Sequence, residues 1–212
     1  MKNKIIDYLD ELYPNPKCEL EYHKDYELLI ATVLSAQCTD KRVNMVTKEL
    51  FSKYNIFDLE NVSIKEIEKI IKPCGTYTRK ALYIKEMAKS LVENYKGKVP
   101  NNREYLESLP GVGRKTCNVV LSNIYDVPAI AVDTHVKRVS DRLKLSKESD
   151  SVEKTEKRLM KTFPIEKWSR LHHQMVLFGR YQCKSRNPEC ERCKLKEECS
   201  YYNKKAKEKT RS

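Results

Sequence analysis

Helix signals run from one end of this sequence to the other, and they limit the fold more than any other feature. Apolar residues recur at helical spacing, Ser63 and Glu66 form a capping-box pattern, and proline or glycine marks the breaks between segments. The one extended-looking run, AIAV at 129–132, is too short to build a sheet. Glycine is scarce, with 5 residues in 212. The sequence therefore predicts an all-α protein.

The same signals place the individual helices at 3–13, 26–35, 40–54, 63 to about 73, 78–95, 101–109, 114–125, 134–143, 150–163 and 165–181. Asp40 is expected to cap the third of them. The predicted core positions of the helix over 78–95 are Leu82, Met87, Leu91 and Val92. Four scattered cysteines are expected to be small core side chains: Cys18, Cys38, Cys74 and Cys117. The polar, lysine-rich tail over 203–212 is expected to be frayed.

The charge balance indicates a polyanionic partner. The chain has 42 Lys and Arg against 30 Asp and Glu, which gives a formal net charge of +12. Such an excess is typical of proteins that bind nucleic acid or an anionic membrane, although a generally solvated surface also produces it. No apolar run approaches the ~20 residues of a membrane span, and the N-terminus has no signal-peptide core. We therefore expect a cytoplasmic protein whose eight cysteines are reduced.

Half of the eight cysteines are clustered near the C-terminus with the spacing C-x6-C-x2-C-x5-C: Cys183, Cys190, Cys193 and Cys199. In a reducing compartment such clustering favours metal ligation over disulfides. A structural zinc site usually pairs two C-x2-C knuckles, whereas this sequence has one. An iron–sulfur cluster is larger and suits ligands that are spread more widely, so the spacing favours iron–sulfur, then zinc, then free thiols.

The loop inside the first of these spacings carries two cations, Lys184 and Arg186. It is either an ordinary solvated loop or a basic loop that the metal centre holds against a phosphate backbone.

The segment LPGVGRKT at 109–116 lies between two predicted helices. Gly111 and Gly113 permit positive φ and close backbone approach, and the helix that follows points its free N–H groups and positive dipole end at whatever precedes it. Such a turn can bind a phosphate group of a nucleic acid without reading the base sequence. A nucleotide P-loop needs G-x4-G-K-[ST] after a strand, and both requirements fail here. A plain helix–helix turn is the other interpretation.

Two residues near these helix starts are candidates for chemistry. Lys115 lies in the first turn of the helix after Gly113, where the helix dipole disfavours a cation, and a partly neutral lysine is a nucleophile. Phosphate binding and simple solvation are the alternatives. Asp133 is either an N-cap or a carboxylate presented beside a reactive centre. His135, taken alone, is more readily a packing or phosphate-contact residue.

Together these segments resemble the endonuclease III family, the bifunctional DNA glycosylases of the helix-hairpin-helix superfamily. The resemblance rests on LLIATVLSAQCTD (28–40), LPGVGRKTCNVVL (109–121), AVDTHVKRV (131–139) and the four cysteines, in the same order along nearly the whole chain. It implies two helical lobes with a DNA cleft between them. One would be a six-helix barrel over 18–127, with the helix-hairpin-helix at about 102–125. The other would combine 1–17 with 128–212, including a 4Fe–4S cluster loop at 183–199 and the basic tail at 203–212.

The resemblance also implies roles for individual residues. Lys115 would be the nucleophile, Asp133 the assisting carboxylate, and Gln37 the side chain that fills the gap left by an extruded nucleotide. Cys183, Cys190, Cys193 and Cys199 would hold the cluster. Contacts to double-stranded DNA are expected from Gln37, Gly111, Val112, Gly113, Arg114, His135, Lys184 and Arg186. Thr76 departs from the family pattern, which often has an apolar wedge there, and a threonine fills less space between base pairs.

The function implied by the resemblance is base-excision repair. The enzyme would remove damaged, oxidised pyrimidines through a lysine Schiff base and then cut the strand 3′ to the abasic site by β-elimination. One alternative is the monofunctional adenine-mismatch glycosylase, which lacks the lysine. Another is a non-catalytic helix-hairpin-helix DNA-binding iron–sulfur protein, in which Lys115 and Asp133 have no role. We expect a bacterial-type monomer that associates with the nucleoid through DNA.

Overall fold

A computed structural model describes residues 1–209, with side-chain environments as far as residue 206. Over that range it contains α-helices, two 3-10 turns (Lys72–Cys74 and Ile165–Lys167) and no strand, which confirms the all-α prediction. The helices are α1 (Lys2–Leu12), α2 (Asp25–Leu34), α3 (Asp40–Lys53), α4 (Ile56–Asn61), α5 (Ile64–Ile71), α6 (Tyr77–Tyr95), α7 (Arg103–Ser108), α8 (Arg114–Tyr125), α9 (Thr134–Arg142), α10 (Val152–Thr162), α11 (Trp168–Tyr181) and α12 (Ser200–Lys209).

The chain divides into two compact units. The central unit runs from Cys18 to Asp126 and holds α2 to α8. The terminal unit combines Met1–Lys17 with the chain from Val127 onward, and it holds α1 and α9 to α12. Among the helices of the described range, none is long and apolar enough to cross a membrane.

The core of the central unit is organised around α2. Its apolar run from Leu28 to Leu34 is buried throughout, and the helix packs against α3, α6 and α8. Burial on all sides is what a continuous apolar helix requires, because it has no polar face to leave in water. Helix α6 crosses the same unit and packs against α4 and α5. The short helix α4 is not predicted from the sequence; Asn55 starts it by accepting hydrogen bonds from the N–H groups of Phe57 and Asp58.

Of the predicted core positions of α6, Met87 and Leu91 are buried, Val92 is only half-buried and Leu82 is wrong. Leu82 is 41% exposed, whereas Lys80, two residues earlier, is only 4% exposed. The buried face of the helix runs through Ala81, Ile84 and Leu91. At 3.6 residues per turn, Leu82 lies about 100° from Ala81, outside that face. Among the scattered cysteines, Cys74 and Cys117 are buried as expected, but Cys18 and Cys38 are only half-buried.

Two further expectations differ in detail from the structure. Thr39, rather than Asp40, caps α3 through a hydrogen bond from the N–H of Arg42. The tail from residue 203 is helical as far as Lys209 instead of frayed, and residues 210–212 lie outside the described range. The guanidinium of Arg142 lies 3.9 Å from the ring centroid of Tyr201, and Tyr201 packs against the core of the terminal unit. These contacts fix the start of α12.

The core of the terminal unit forms where α11 packs against α1 and α9. Phe178 and Leu9 are buried within it. Gly179 permits the close approach of α11 to α9, because a β-carbon there would lie 2.9 Å from Cβ of His135. This packing fixes the start of α9, where Asp133 and His135 lie.

Candidate active site

The turn between α7 and α8 has the features that a phosphate-binding hairpin needs. Gly111 has a φ of +78°, and a β-carbon on it would lie 2.6 Å from Cδ2 of Tyr83. Val112 is buried and anchors the turn, with its N–H donating to the carbonyl of Leu109 at 3.1 Å. Gly113 is the N-cap residue of α8, and a β-carbon there would meet nothing within 4 Å. An anion can therefore approach the free N–H groups at the start of α8.

Lys115 is the second residue of α8, next to the exposed Arg114. Its side chain is exposed and makes no hydrogen bond or ion pair with residues 1–206, the part of the chain whose side chains are described. The amine is therefore accessible to a ligand at the helix start, the same place at which the hairpin can bind phosphate.

Asp133 is the N-cap of α9. Its Oδ1 accepts hydrogen bonds from the backbone N–H groups of His135 and Val136, each at 2.8 Å. No group in the described part of the chain donates to its Oδ2. The cap thus holds the carboxylate in one orientation and leaves one oxygen available for another partner.

The side chain of His135 is held by Arg138, whose Nη2 lies 3.2 Å from its Nδ1. Arg138 also donates to the carbonyl of Gly179 at 2.6 Å and, through Nε, to the carbonyl of Cys183 at 3.1 Å. The half-buried His135 is thereby tied to the helix that leads into the cysteine segment.

The four clustered cysteines are free thiols that line one cavity, together with Arg142 and Tyr201. Nη1 of Arg142 lies 3.3 Å from Sγ of Cys183 and 2.8 Å from the carbonyl of Lys184. Burial raises the pKa of the Cys183 thiol, and the Arg142 guanidinium opposes that rise. Over the described residues, no group of three or more Cys, His, Asp or Glu side chains is arranged to hold a single metal ion.

Sequence reasoning did not identify Arg138 and Arg142. Both lie on α9, four residues apart and therefore on one face of the helix, and both donate to carbonyls of the segment that begins at Cys183. That spacing, five and nine residues after Asp133, is the signal in the sequence that could have found them.

The two cations of the cysteine loop differ in their surroundings. Nζ of Lys184 forms an ion pair with Oε1 of Glu189 at 2.8 Å. Arg186 is exposed and has no ion pair with any described residue. Arg186 is therefore the freer of the two to bind an external anion.

Gln37 and Thr76 share an unusual backbone conformation. Their φ angles are +57° and +43°, in the left-handed region that non-glycine residues seldom adopt. Both residues are exposed, Gln37 between α2 and α3 and Thr76 at the start of α6. Strained, exposed positions of this kind occur preferentially at functional sites.

An all-α chain with this hairpin, an accessible lysine at the helix start and a four-cysteine cavity has the features of a helix-hairpin-helix DNA-repair protein. Residues 30–165 match the family model described as HhH-GPD superfamily base excision DNA repair protein. Endonuclease III of Bacillus subtilis is 48% identical over 195 residues, which cover 92% of this chain and 89% of the relative. Endonuclease III of Escherichia coli K12 is 40% identical over 202 residues, 95% of each chain. The chain therefore belongs to the endonuclease III family.

Solved structures agree with this assignment. A non-covalent endonuclease III–DNA complex matches with a TM-score of 0.93 and 47% identity, covering 98% of this chain and 99% of that one. A trapped endonuclease III–DNA covalent intermediate matches with a TM-score of 0.91 and 48% identity, covering 97% and 99%. The family and fold expected from the sequence motifs are confirmed.

Proposed function

We propose that this protein is a bifunctional DNA glycosylase and abasic-site lyase that removes oxidised pyrimidines from duplex DNA. The observation that carries the proposal is the accessible amine of Lys115, which lies one turn or less from the uncapped start of α8. The amine makes no hydrogen bond or ion pair with residues 1–206, so it is available to attack a sugar that the hairpin holds nearby.

The first step is extrusion of the damaged nucleotide, because a base inside a duplex is inaccessible to a nucleophile. The turn at Gly111 and Gly113 would hold the backbone of the DNA through peptide N–H groups, without reading its sequence. Gln37 would occupy the gap that the extruded nucleotide leaves, and His135, Arg114, Lys184 and Arg186 would contact the backbone.

The second step breaks the glycosidic bond. Nζ of Lys115, in its neutral form, attacks C1′ of the deoxyribose, and the bond from C1′ to the base breaks with its electron pair leaving on the base. Positive charge develops on the sugar as the bond breaks. The free Oδ2 of Asp133 would stabilise that charge and accept the proton that the lysine loses.

The third step cuts the strand. Opening of the sugar ring gives a Schiff base between Lys115 and C1′, which makes the hydrogen on C2′ acidic. Loss of that proton expels the 3′ phosphate as the C3′–O bond breaks, so the strand is cut 3′ to the lesion. A non-catalytic DNA-binding protein would need neither the amine nor the oriented carboxylate, and the adenine-mismatch glycosylases lack the lysine.

The four-cysteine cavity is proposed to bind a 4Fe–4S cluster. The donor set is all thiol and the four residues share one cavity; their spacing contains one C-x2-C knuckle where a structural zinc site usually pairs two, which favours an iron–sulfur centre over zinc. A bound cluster would supply folding free energy to a segment too polar to pack by itself. It would hold the loop with Lys184 and Arg186 in place. We further propose a monomer that works in the cytoplasm on nucleoid DNA.

Borohydride reduction on a duplex with one abasic site tests the function directly, because it converts a Schiff base into a stable covalent bond. The parent protein is expected to give a denaturation-resistant complex, and Lys115→Ala none, while still binding the duplex. Lys89→Ala is the matched control, since Lys89 is an exposed lysine on α6 with an i,i+4 partner, Glu93. If Lys115→Ala is trapped at the parent's rate, another amine is the nucleophile and the proposal is wrong.

A further inference from the structure

Lys80 is a buried lysine that joins two separate segments of the central unit. It lies on α6 and is 4% exposed. Its Nζ donates to the carbonyl of Leu34 at 3.0 Å, to that of Ala36 at 2.8 Å and to that of Cys74 at 2.9 Å. The three acceptors use all three hydrogens of the ammonium group.

The position is not explained by core packing. Burial disfavours the charged amine and lowers the pKa of Lys80, an effect that the nearby Cys74 and Cys38 oppose. No carboxylate among the described residues pairs with it; its acceptors are backbone carbonyls. A methionine or leucine would fill the same space without this cost. The presence of a lysine at this buried position is therefore explained by the backbone carbonyls that its ammonium group binds.

Two of those three carbonyls, from Ala36 and Cys74, lie beside backbone with positive φ angles; the third, from Leu34, is at the end of α2. Ala36 directly precedes Gln37, and Cys74 is separated from Thr76 by Gly75 alone. Gln37, Gly75 and Thr76 all have positive φ angles, of 57°, 64° and 43°. We call 36–37 and 74–76 the insertion segments. A backbone in the left-handed region persists only where surrounding contacts over-determine it, and Lys80 provides such contacts at both segments.

We propose that Lys80 is a positioning residue, which fixes the two insertion segments relative to each other so that Gln37 and Thr76 enter the duplex together as a nucleotide is extruded. This inference rests on the proposed function, in particular on the gap-filling role of Gln37. Insertion displaces stacked bases, and segments that are already ordered do not lose conformational freedom at that moment. Accurate placement matters more here because Thr76 fills less space than an apolar wedge.

The chain supplies a matched control for this lysine. Lys85 is also on α6 and half-buried, and its Nζ donates to the carbonyls of Glu60 at 2.9 Å and Val62 at 2.6 Å. It therefore makes the same kind of contact at the C-terminal end of α4, which the mechanism does not use. Lys80→Met and Lys85→Met each remove an ammonium of this type from the same helix.

The experiment compares two substrates with cluster-loaded protein. On a duplex with one oxidised pyrimidine, Lys80→Met is expected to slow single-turnover base excision by at least about tenfold, as misplacement of a reacting centre does. On single-stranded abasic DNA, where no stacked gap must be filled, its β-elimination rate is expected to stay within about twofold of the parent. Lys85→Met should match the parent on both substrates. Equal slowing of both reactions, or none, would overturn the proposal.

Two further measurements separate positioning from damage to the fold. The fluorescence of 2-aminopurine beside the lesion reports unstacking, and Lys80→Met should lower its amplitude at saturating protein. In a double-mutant cycle, Gln37→Ala should add little to Lys80→Met, because the two changes disable one step. Full additivity, or an unchanged fluorescence amplitude, would contradict the proposal while leaving the trapping result at Lys115 intact.

If Lys80→Met does not fold, Lys80→Arg is measured on the same two substrates instead. The guanidinium keeps donors but is larger and planar, so it cannot reproduce the three contacts of an ammonium group. If Lys80→Arg slows the reaction on the duplex substrate alone, the positioning role is supported. If it slows the reactions on both substrates, the role is refuted.

Discussion

The ring of Tyr83 lies against Gly111, so closely that a β-carbon on that glycine would be 2.6 Å from Cδ2 of the tyrosine. Tyr83 belongs to α6, and Gly111 to the turn between α7 and α8. The turn between α7 and α8 therefore packs on α6, the helix that also carries Lys80. A β-carbon on Gly113, two residues later, would meet nothing within 4 Å.

The two glycines are expected to respond differently to alanine. Gly111→Ala introduces a side chain at φ +78° and against Tyr83, so it should lower the free energy of unfolding by about 1–3 kcal/mol. Gly113→Ala has an extended backbone and no neighbour, so stability should be unchanged while affinity for DNA falls, because the added methyl group obstructs the phosphate. Chemical denaturation and binding titrations check the pair. Equal destabilisation by both variants would contradict the close packing of Gly111 against Tyr83.

Asp133→Asn is expected to separate the two chemical steps. Asparagine still accepts hydrogen bonds from the N–H groups of His135 and Val136, so the cap of α9 should survive, but the negative charge that we propose stabilises the sugar is lost. Base excision should slow by roughly 10²–10³, whereas β-elimination at a preformed abasic site should retain activity because no glycosidic bond remains to be broken. Single-turnover rates on the two substrates provide the measurement. Parallel losses would show that the carboxylate does not act at the glycosidic step.

The cysteine loop is expected to contribute to the salt dependence of DNA binding. Each phosphate neutralised adds about 0.9 to the slope of log affinity against log salt. Lys184→Ala combined with Arg186→Ala should flatten that slope without changing lesion preference. Most of the change should come from Arg186, since Lys184 is paired with Glu189. A slope equal to the parent's would show that this loop does not contact DNA.

The cysteine cavity is expected to hold iron. Protein purified after iron-replete expression should be yellow-brown and contain about 4 iron atoms per chain, as a 4Fe–4S cluster requires. Cys190→Ser should lose the visible absorbance, and Cys18→Ser, at a half-buried cysteine outside the cavity, should retain it. Stoichiometric zinc without iron would exclude the cluster.

Local sequence determined most of the secondary structure. The buried run from Leu28 to Leu34, the capping pattern at Ser63 and the glycine turn before α8 are all short-range signals, and each is found where the sequence predicts it. Such features are predictable because their causes lie within a few residues: a helix start needs one side-chain acceptor, and a tight turn needs a residue that tolerates positive φ. The motifs that identify the family are also short stretches of consecutive residues, so they can be recognised in the sequence alone.

Tertiary structure decided which polar groups are buried and what they hold. Nothing near Lys80 in the sequence shows that it, and not Leu82, enters the core, because its acceptors come from segments more than forty residues away and from the turn before α6. Arg142 likewise contacts a cysteine segment about forty residues later. A buried charge is stable only where the fold brings acceptors to it, and those acceptors are backbone carbonyls, which every residue has and which no sequence pattern identifies.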